Sequence, residues 1–345
     1  MSRVSFPRAT GNPRELPELR AALVELARPS GSWFQAELDK LLMEVGQRPD
    51  SEVLAAARWH ADNTVRWYRE NLPAAQLIHV SPEMTEFVHA AAESAPPDTT
   101  LSLNDAPSPT GLVVFGAPIW GLDAGPVHPG GAIRVDAVMW SRVALPSRNG
   151  HWWEEVNPTP GIFGISVAMF RLVAPDHDDR LARALDVQAP LWLPLGRTDW
   201  PWGDRLDMPP TEHLAGGGAA QWDSMMEDRR LLVALWATIN QRRLVETMDV
   251  PPDRYVRKRL DRAGHGGRNE TVRIVHLRRS ERVPIERSDS TGRQVSVRFP
   301  VRPFFRRQRY GPGNSLTRIV LIPPHWRGPE NAPIVHHERV WEVDR

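Results

Sequence analysis

Ile133-Arg-Val-Asp-Ala-Val-Met-Trp140 is the stretch that decides the fold of this chain. It is rich in β-branched and aromatic residues and lies between clusters of proline and glycine, a pattern that predicts a β-strand. Leu112-Val-Val-Phe115 before it and Gly164-Ile-Ser-Val-Ala-Met-Phe-Arg-Leu-Val173 after it follow the same pattern. Before these segments the apolar residues have helical spacing, and after them further short strands are predicted. The sequence therefore predicts an α+β protein with a helical N-terminal region, a central mixed α/β body and a small antiparallel β module at the C-terminus.

The N-terminal region is predicted to be helical, because its apolar residues recur at steps of three and four. Helices are expected over residues 13–28, 34–45 and 50–68. Ser81-Pro82-Glu83 predicts the start of a fourth helix that runs to about Ala92. The serine oxygen can accept a first-turn N–H, and proline at the first helical position sacrifices no hydrogen bond.

The C-terminal half is predicted to alternate between loops, one long helix and short strands. Residues 191–218 are expected to form a loop, 223–246 a buried helix and 251–267 a charged linker. Short strands are then predicted at residues 271–278, 282–286, 294–301, 317–322 and 335–343. The predicted domains are a helical region (1–95), a mixed α/β body (96–250) and a basic antiparallel β module (268–345).

Composition excludes several classes of chemistry. The 345 residues include no cysteine, so disulfides, thiolate zinc sites and cysteine nucleophiles are ruled out. No segment approaches the ~18 consecutive apolar residues of a membrane span, and residues 1–10 lack the apolar core of a signal peptide. A cytoplasmic protein without membrane contact is therefore expected. No Gly-Lys-Ser/Thr phosphate loop is present, and no cofactor is predicted.

No set of residues forms a convincing catalytic motif. The run Asp176-His177-Asp178-Asp179 offers metal ligands, but acidic residues are also favourable at a helix start. Ser166 stands in a segment that resembles a nucleophile elbow but lacks its last glycine and continues as a strand. His336 and His337 are adjacent and would point to opposite faces of a strand. A metal-dependent hydrolase or nuclease that uses His325 or Asp176 remains an alternative hypothesis.

Basic residues are concentrated near the C-terminus. Residues 254–310 contain 17 basic and 5 acidic residues, a net charge of +12, whereas residues 1–253 sum to −11. Of the 43 basic residues 41 are arginine, a preference that a high-GC genome explains, although it does not explain their position. Such an asymmetry of charge indicates binding to a polyanion. The net charge of the whole chain, +1, conceals this asymmetry.

The basic tail supplies the predicted binding site. Alternation over residues 294–302 is expected to place the apolar side chains on one face and Arg298 and Arg302 on the other. Guanidinium groups bind phosphate in bidentate fashion, and neighbouring aromatic rings can stack on unpaired bases, so RNA is the favoured ligand. The predicted nucleic-acid-binding residues are Arg298, Arg302, Arg306, Arg307, Arg309, Tyr310, Arg318, His325, Trp326 and Arg327.

Three other interpretations of the sequence remain open. The basic tail could dock on the acidic body of the same chain, so that the opposite charges cancel internally. It could also bind an acidic protein partner. Alternatively, the chain could be a protein-binding adaptor that uses its tryptophan-rich middle, including Trp152-Trp153 and Trp200-Pro-Trp202, as the recognition surface.

The C-terminal segments resemble a known group of proteins. Val301-Arg-Pro-Phe-Phe-Arg-Arg-Gln-Arg-Tyr-Gly-Pro-Gly313, Arg318-Ile-Val-Leu-Ile-Pro-Pro-His-Trp-Arg-Gly-Pro329 and Ala332-Pro-Ile-Val335 are similar to a C-terminal module of uncharacterised proteins from high-GC actinobacteria, their plasmids and their phages. Asp105-Ala-Pro-Ser-Pro-Thr-Gly-Leu-Val-Val-Phe115 resembles an upstream segment of the same family. That module often has Gly-His-Trp where this chain has Pro303-Phe304-Phe305, so a possible functional histidine is missing.

A more remote similarity is to a type V-A anti-CRISPR family that acts on the expression of its target. This similarity implies contact with RNA or with a nascent chain. The resemblance to the actinobacterial family supplies no established activity. We expect a regulatory or defence-associated protein that binds RNA or another polyanion and is not an enzyme.

Overall fold

The computed structural model describes residues 12–29, 31–45, 51–96, 99, 105–123, 132–146, 158–173, 191–201, 219–242, 244–267, 270–278, 296–329 and 332–334. Within these residues the helices are α1 (Leu16–Leu26), α2 (Ser32–Val45), α3 (Ser51–Asn71), α4 (Pro82–Glu93), α5 (Ala219–Ile239) and α6 (Arg254–Arg262). The strands are β1 (Gln76–Val80), β2 (Thr110–Asp123), β3 (Ala132–Pro146), β4 (Pro158–Val173), β5 (Leu191–Pro201), β6 (Val245–Val250), β7 (Val272–Leu277), β8 (Phe299–Val301), β9 (Phe304–Tyr310), β10 (Leu316–Ile322) and β11 (His325–Arg327).

A mixed sheet of seven strands forms the centre of the molecule, in the order β5-β4-β3-β2-β1-β7-β6. β1 is parallel to both of its neighbours, so that Leu77 lies opposite Leu112 of β2 and Val272 of β7. β2 to β5 form an antiparallel meander, and β6 is antiparallel to β7. The predicted α+β class is confirmed.

Helices cover both faces of this sheet, because successive side chains of each strand point to opposite sides. One face of the sheet, here named the α4 face, packs against α4 and α5. Its strand residues include Ile78, Val113, Phe115, Val138, Trp140 and Val167. The opposite face of the sheet, here named the α1 face, packs against α1, α2 and α3. Its strand residues include Leu77, Leu112, Val114, Met139 and Phe170. The core is therefore a sandwich of helix, sheet and helix layers.

The N-terminal helices follow the sequence-based prediction. α4 begins as expected, because the Ser81 hydroxyl accepts a hydrogen bond from the Met84 amide at 3.3 Å and Pro82 occupies the first helical position. The prediction of a helical N-terminal region is wrong at one point, since residues 76–80 form β1, an interior strand of the sheet.

Three predictions for the C-terminal half are also corrected. The predicted loop 191–218 contains β5, which lies at one edge of the sheet, where proline is tolerated. The predicted helix ends at Ile239 instead of residue 246, and β6 starts six residues later at Val245. The predicted linker 251–267 contains α6.

The first strand predicted for the basic module belongs to the central sheet. It is β7, which pairs with β1 and β6, so that the boundary predicted at residue 268 falls between α6 and a strand of the main sheet. The predicted strands at 282–286 and 335–343 lie outside the described residues. The predicted strand 294–301 is represented by the shorter β8.

Helix α6 docks on α1 through a small apolar contact bordered by an ion pair and a histidine–glutamate contact. Val256 and Leu260 pack against Ala21. Arg259 of α6 forms an ion pair with Glu18 of α1, whose side chain is only 7% exposed. Nε2 of the buried His265, just after α6, is 3.2 Å from Oε1 of Glu25. These polar contacts fix the orientation of α6 on the α1 side of the sheet.

Glu18 makes this interface sensitive to pH. Burial raises the pKa of its carboxyl group, although the neighbouring Arg259 guanidinium acts in the opposite direction. A carboxyl group with a raised folded-state pKa binds its proton more readily in the folded than in the unfolded protein, so its contribution to stability grows as the pH falls through that pKa. We therefore expect the free energy of unfolding of the wild type to rise relative to that of Glu18→Gln as the pH is lowered from neutral towards 4.5, the ordinary value of this group.

Urea unfolding of both proteins at a series of pH values measures this difference. Glu86→Gln, at an exposed position of α4, controls for the loss of one negative charge. A difference between wild type and Glu18→Gln that stays constant, or that moves in favour of the variant at low pH, would contradict the expectation.

Candidate nucleic-acid interface

The C-terminal module, residues 296–329, is basic and has no acidic residue. It contains seven arginines and neither aspartate nor glutamate. Its strands form two antiparallel pairs, a β9–β10 hairpin and a short β8–β11 ribbon. The turn of the hairpin is built from Gly311-Pro-Gly-Asn314, where Gly311, Gly313 and Asn314 adopt positive φ angles. The predicted antiparallel character of the module therefore holds for these strands.

The hairpin is anchored to the body by apolar and backbone contacts. Leu321 of β10 is 2% exposed and packs into the α4 face together with Phe305 of β9. The Phe305 amide donates a hydrogen bond to the Ser94 hydroxyl at 3.0 Å, just beyond the C-terminus of α4. The Gln241 side-chain amide donates to the Leu321 carbonyl at 3.3 Å. The basic module therefore docks on its own chain through these apolar and hydrogen-bonded contacts.

Strand alternation distributes the arginines of β9 over both faces of the hairpin. Phe305 faces the body, so Arg307 and Arg309 follow it on the same face, whereas Arg306 points to the opposite face. All three arginines are exposed. The predicted continuous row of guanidinium groups is thus divided between two surfaces of a projecting ribbon.

Several of these guanidinium groups face solvent. Arg306, Arg309 and Arg327 are exposed, and none has a carboxylate within ion-pair distance among the described residues. Arg302 approaches Glu93 of α4 at 3.9 Å, but the two side chains are 69% and 61% exposed. A pair as exposed as this one contributes little to stability. Arg306, Arg309 and Arg327 therefore remain accessible to an external anion.

The β8–β11 ribbon combines an arginine with an exposed indole ring. The guanidinium carbon of Arg298 lies 5.4 Å from the centroid of the Trp326 ring, within the range of a cation–π contact, and Trp326 is 39% exposed. The Arg298 amide donates to the Pro333 carbonyl at 2.8 Å, which closes the ribbon with the residues that follow it. Gly328 has a φ of 119°, and a Cβ there would lie 2.1 Å from the Val297 carbonyl oxygen. The position therefore requires glycine.

The predicted alternation over residues 294–302 is not the arrangement in the structure. β8 has only three residues, and Val297, Arg298, Phe299 and Val301 are all half-buried. Arg298 thus lies within the ribbon instead of on a separate charged face. Arg302 follows β8 and is exposed, as the prediction requires.

The remaining predicted residues lie on the same module. Arg318 lies on β10 opposite Gln308. Tyr310 and Leu316 face each other at the hairpin turn and are 40% and 49% exposed. His325 is half-buried, with Nδ1 3.0 Å from the Pro323 carbonyl oxygen and its ring 6.4 Å from that of Phe304. The module therefore brings the predicted residues together on a hairpin and a ribbon instead of on one continuous platform.

The sequence-based candidates for catalysis are not supported as a site. Ser166 is fully buried within β4. Asp176 to Asp179, His336 and His337 lie outside the described residues, as do Trp152, Trp153 and Trp202. In the part of the chain that the structure describes, no three histidine or acidic side chains are grouped so that they could hold a metal ion. None of the described helices is long and apolar enough to cross a membrane.

Comparison with known protein families, with curated proteins and with solved structures finds no match to this chain. The geometry of the module is therefore the basis for any functional conclusion.

Sequence reasoning missed a second basic surface, on α6. Arg254, Lys258 and Arg262 are exposed along this helix, in the region that was predicted to be a linker. Their regular spacing of four residues, which places side chains on one face of a helix, was the signal that could have revealed it.

Proposed function

We propose that this protein binds nucleic acid, with RNA as the favoured ligand, through its C-terminal module, and that it acts in regulation or defence without a catalytic step of its own. One observation carries the proposal. Arg306, Arg309 and Arg327 project from a module without acidic residues and have no carboxylate partner among the described residues. Exposed guanidinium groups of this kind are suited to phosphate groups.

The two parts of the module suit different parts of an unpaired strand. The hairpin presents arginines on both faces, so phosphates that pass along its edge can be contacted from either side. The ribbon offers the exposed Trp326 ring, and bases of any identity can stack on an indole. This combination supports RNA with unpaired bases more than a duplex, whose bases are already stacked.

Salt dependence of binding tests the proposal. The ligand is a mixed-sequence single-stranded RNA of about 20 nucleotides, longer than the ~4–16 nucleotides that one binding fold covers. The module variant carries Arg306→Gln, Arg309→Gln and Arg327→Gln. Because each phosphate contact on a single strand contributes about 0.7 to the slope of log K against log salt, the variant should have a slope smaller by about 2. Between 50 and 200 mM salt the wild type should lose about 20-fold more affinity than the variant.

A variant of α3 serves as the matched control. Arg58→Gln, Arg66→Gln and Arg69→Gln remove the same charge from exposed positions of a helix outside the module. This control should keep the wild-type slope. Wild-type binding that does not change with salt, or a module variant that behaves like the α3 control, would disprove the proposal. If RNA is not bound at low salt but one stoichiometric protein co-purifies after nuclease treatment, the adaptor hypothesis replaces it.

A further inference from the structure

Helix α6 carries a second basic surface on the other side of the sheet from the C-terminal module. α6 packs on α1, which belongs to the α1 face, whereas Phe305 and Leu321 of the module pack into the α4 face. Residues 254–262 contain five basic residues and one acidic residue. This concentration of charge on a nine-residue helix needs an explanation of its own.

The charges of α6 divide into an inward and an outward set. Arg259 turns towards α1 and forms an ion pair with Glu18, and Arg257 lies 3.9 Å from Glu270, whose side chain is 12% exposed. Arg254, Lys258 and Arg262 are exposed, and in the described residues none of them has an acidic side chain within ion-pair distance. Because these three residues are spaced by four, they form one stripe along the solvent side of the helix. The body of the protein thus neutralises the inward charge and leaves the stripe available.

Helix stability accounts for only one residue of the stripe. Arg262 lies in the last turn, where a cation is favourable for the helix dipole, but like charges four residues apart destabilise a helix, and a cation in the first turn opposes the dipole. Arg254 is in that first turn, and Asp253, which precedes it, makes no side-chain cap but pairs with Arg14. An anion bound along the stripe would relieve the repulsion between the three cations.

The surroundings of the stripe favour a nucleic-acid backbone over a lipid surface. Val256 and Leu260, which are the apolar side of the helix, are already buried against α1, so no apolar face is left to enter a bilayer. The cations recur every ~6 Å along the helix axis, at 1.5 Å per residue. One strand of a duplex carries a phosphate about every 3.4 Å along its axis, so successive cations correspond to about every second phosphate.

We infer that the exposed stripe of α6, formed by Arg254, Lys258 and Arg262, is a second contact surface for the phosphodiester backbone of a nucleic acid. Tyr255, which is 66% exposed and lies 4.5 Å from the Arg259 guanidinium, borders this surface. The inference extends the proposed function to another surface but does not depend on RNA binding by the module. Since the two surfaces lie on opposite sides of the sheet, one protein can contact two segments of nucleic acid.

The α6 variant Arg254→Gln, Lys258→Gln and Arg262→Gln tests this inference. Glutamine retains good helix propensity, and circular dichroism of the variant checks that the helix content is kept. The slope of log K against log salt should fall by about 2 on the single-stranded RNA and by nearly 3 on duplex DNA, because three phosphate contacts are lost. The α3 variant Arg58→Gln, Arg66→Gln and Arg69→Gln removes the same charge and should change neither slope. If the α6 variant is poorly folded, Lys258→Gln alone should lower the slope by about 0.7 on the single strand.

The outcomes separate this inference from the proposed function. An α6 variant that matches the α3 variant on both ligands overturns the inference, whatever the module variant does. A reduced slope for the α6 variant with no effect of the module variant supports α6 and disproves the proposed function. In the combined variant the two losses should add, because distant sites act independently. A combined loss no larger than that of the module variant overturns the inference of a separate surface.

Discussion

Replacing Gly111 by alanine is expected to lower the free energy of unfolding by about 3 kcal/mol. Gly111 of β2 lies opposite Trp140 of β3, and a Cβ at residue 111 would be 2.3 Å from Cζ2 of the indole ring. Such an approach requires the ring to move. Overpacking of this kind costs about 1 to 3 kcal/mol, and loss of a buried hydrogen bond adds about 1 kcal/mol.

The Trp140 ring cannot move without losing other contacts. It is fully buried, its Nε1 donates a hydrogen bond to the Ser108 carbonyl at 2.9 Å, and its centroid lies 5.5 Å from that of Trp236 in an edge-to-face arrangement. Urea unfolding of Gly111→Ala measures the expected loss.

A double-mutant cycle with Trp140→Phe identifies the cause of that loss. Phenylalanine is smaller than tryptophan and leaves room for the new methyl group, so Gly111→Ala should cost at least about 1 kcal/mol less in the Trp140→Phe background than in the wild type. An equal cost in both backgrounds would mean that contact with the indole is not the reason.

The helices could be predicted because their signals are local. Leu16, Leu19 and Leu23 have helical spacing and are all buried on the α1 face, and Ser81 caps α4 as its sequence context predicts. β1 gave no comparable signal. It is a five-residue strand that is almost entirely buried, so it lacks the alternation by which a half-exposed strand is recognised. Its position inside the sheet depends on pairing with β2 and β7, which follow it by about 30 and 190 residues.

The misinterpreted segments share a different cause. β5 contains Pro194, and a strand with proline is expected only at a sheet edge, where the sequence alone could not place it. The charges of α6 resemble those of a solvated linker. The helix is recognised only from the packing of Val256 and Leu260 against Ala21 of α1. In both segments a tertiary contact decides the structure.

The sequence predicts a basic antiparallel β module at residues 268–345. Of its described residues, 296–329 form two antiparallel pairs of strands, whereas 272–277 belong to the central sheet. The exposure of the individual arginines could not be predicted, because it depends on which residues anchor the hairpin to the body. Phe305 does so and thereby determines that Arg307 and Arg309 share its face while Arg306 does not.

The hairpin should separate from the body when Leu321 is replaced by alanine. Leu321 is 2% exposed on the α4 face, and truncation of a buried leucine costs about 2 to 5 kcal/mol. A two-stranded hairpin is only marginally stable without a surface to pack on. Amide hydrogen exchange in β9 and β10 should therefore become about 100-fold faster, which corresponds to about 3 kcal/mol. Ile319→Ala, at a half-buried position of the same strand, should have a smaller effect.

Leu321→Ala also separates the geometry of the module from its charge. The variant keeps every arginine, so the number of phosphate contacts and the slope of log K against log salt should stay close to those of the wild type. Affinity should nevertheless fall, because the detached hairpin must be ordered when the RNA binds, and the entropy lost in this ordering reduces the binding free energy. An unchanged affinity would show that the arginines act as a disordered basic tail. A reduced slope would contradict the expectation. It would show that an unanchored hairpin makes fewer phosphate contacts, so that these contacts depend on the docked arrangement.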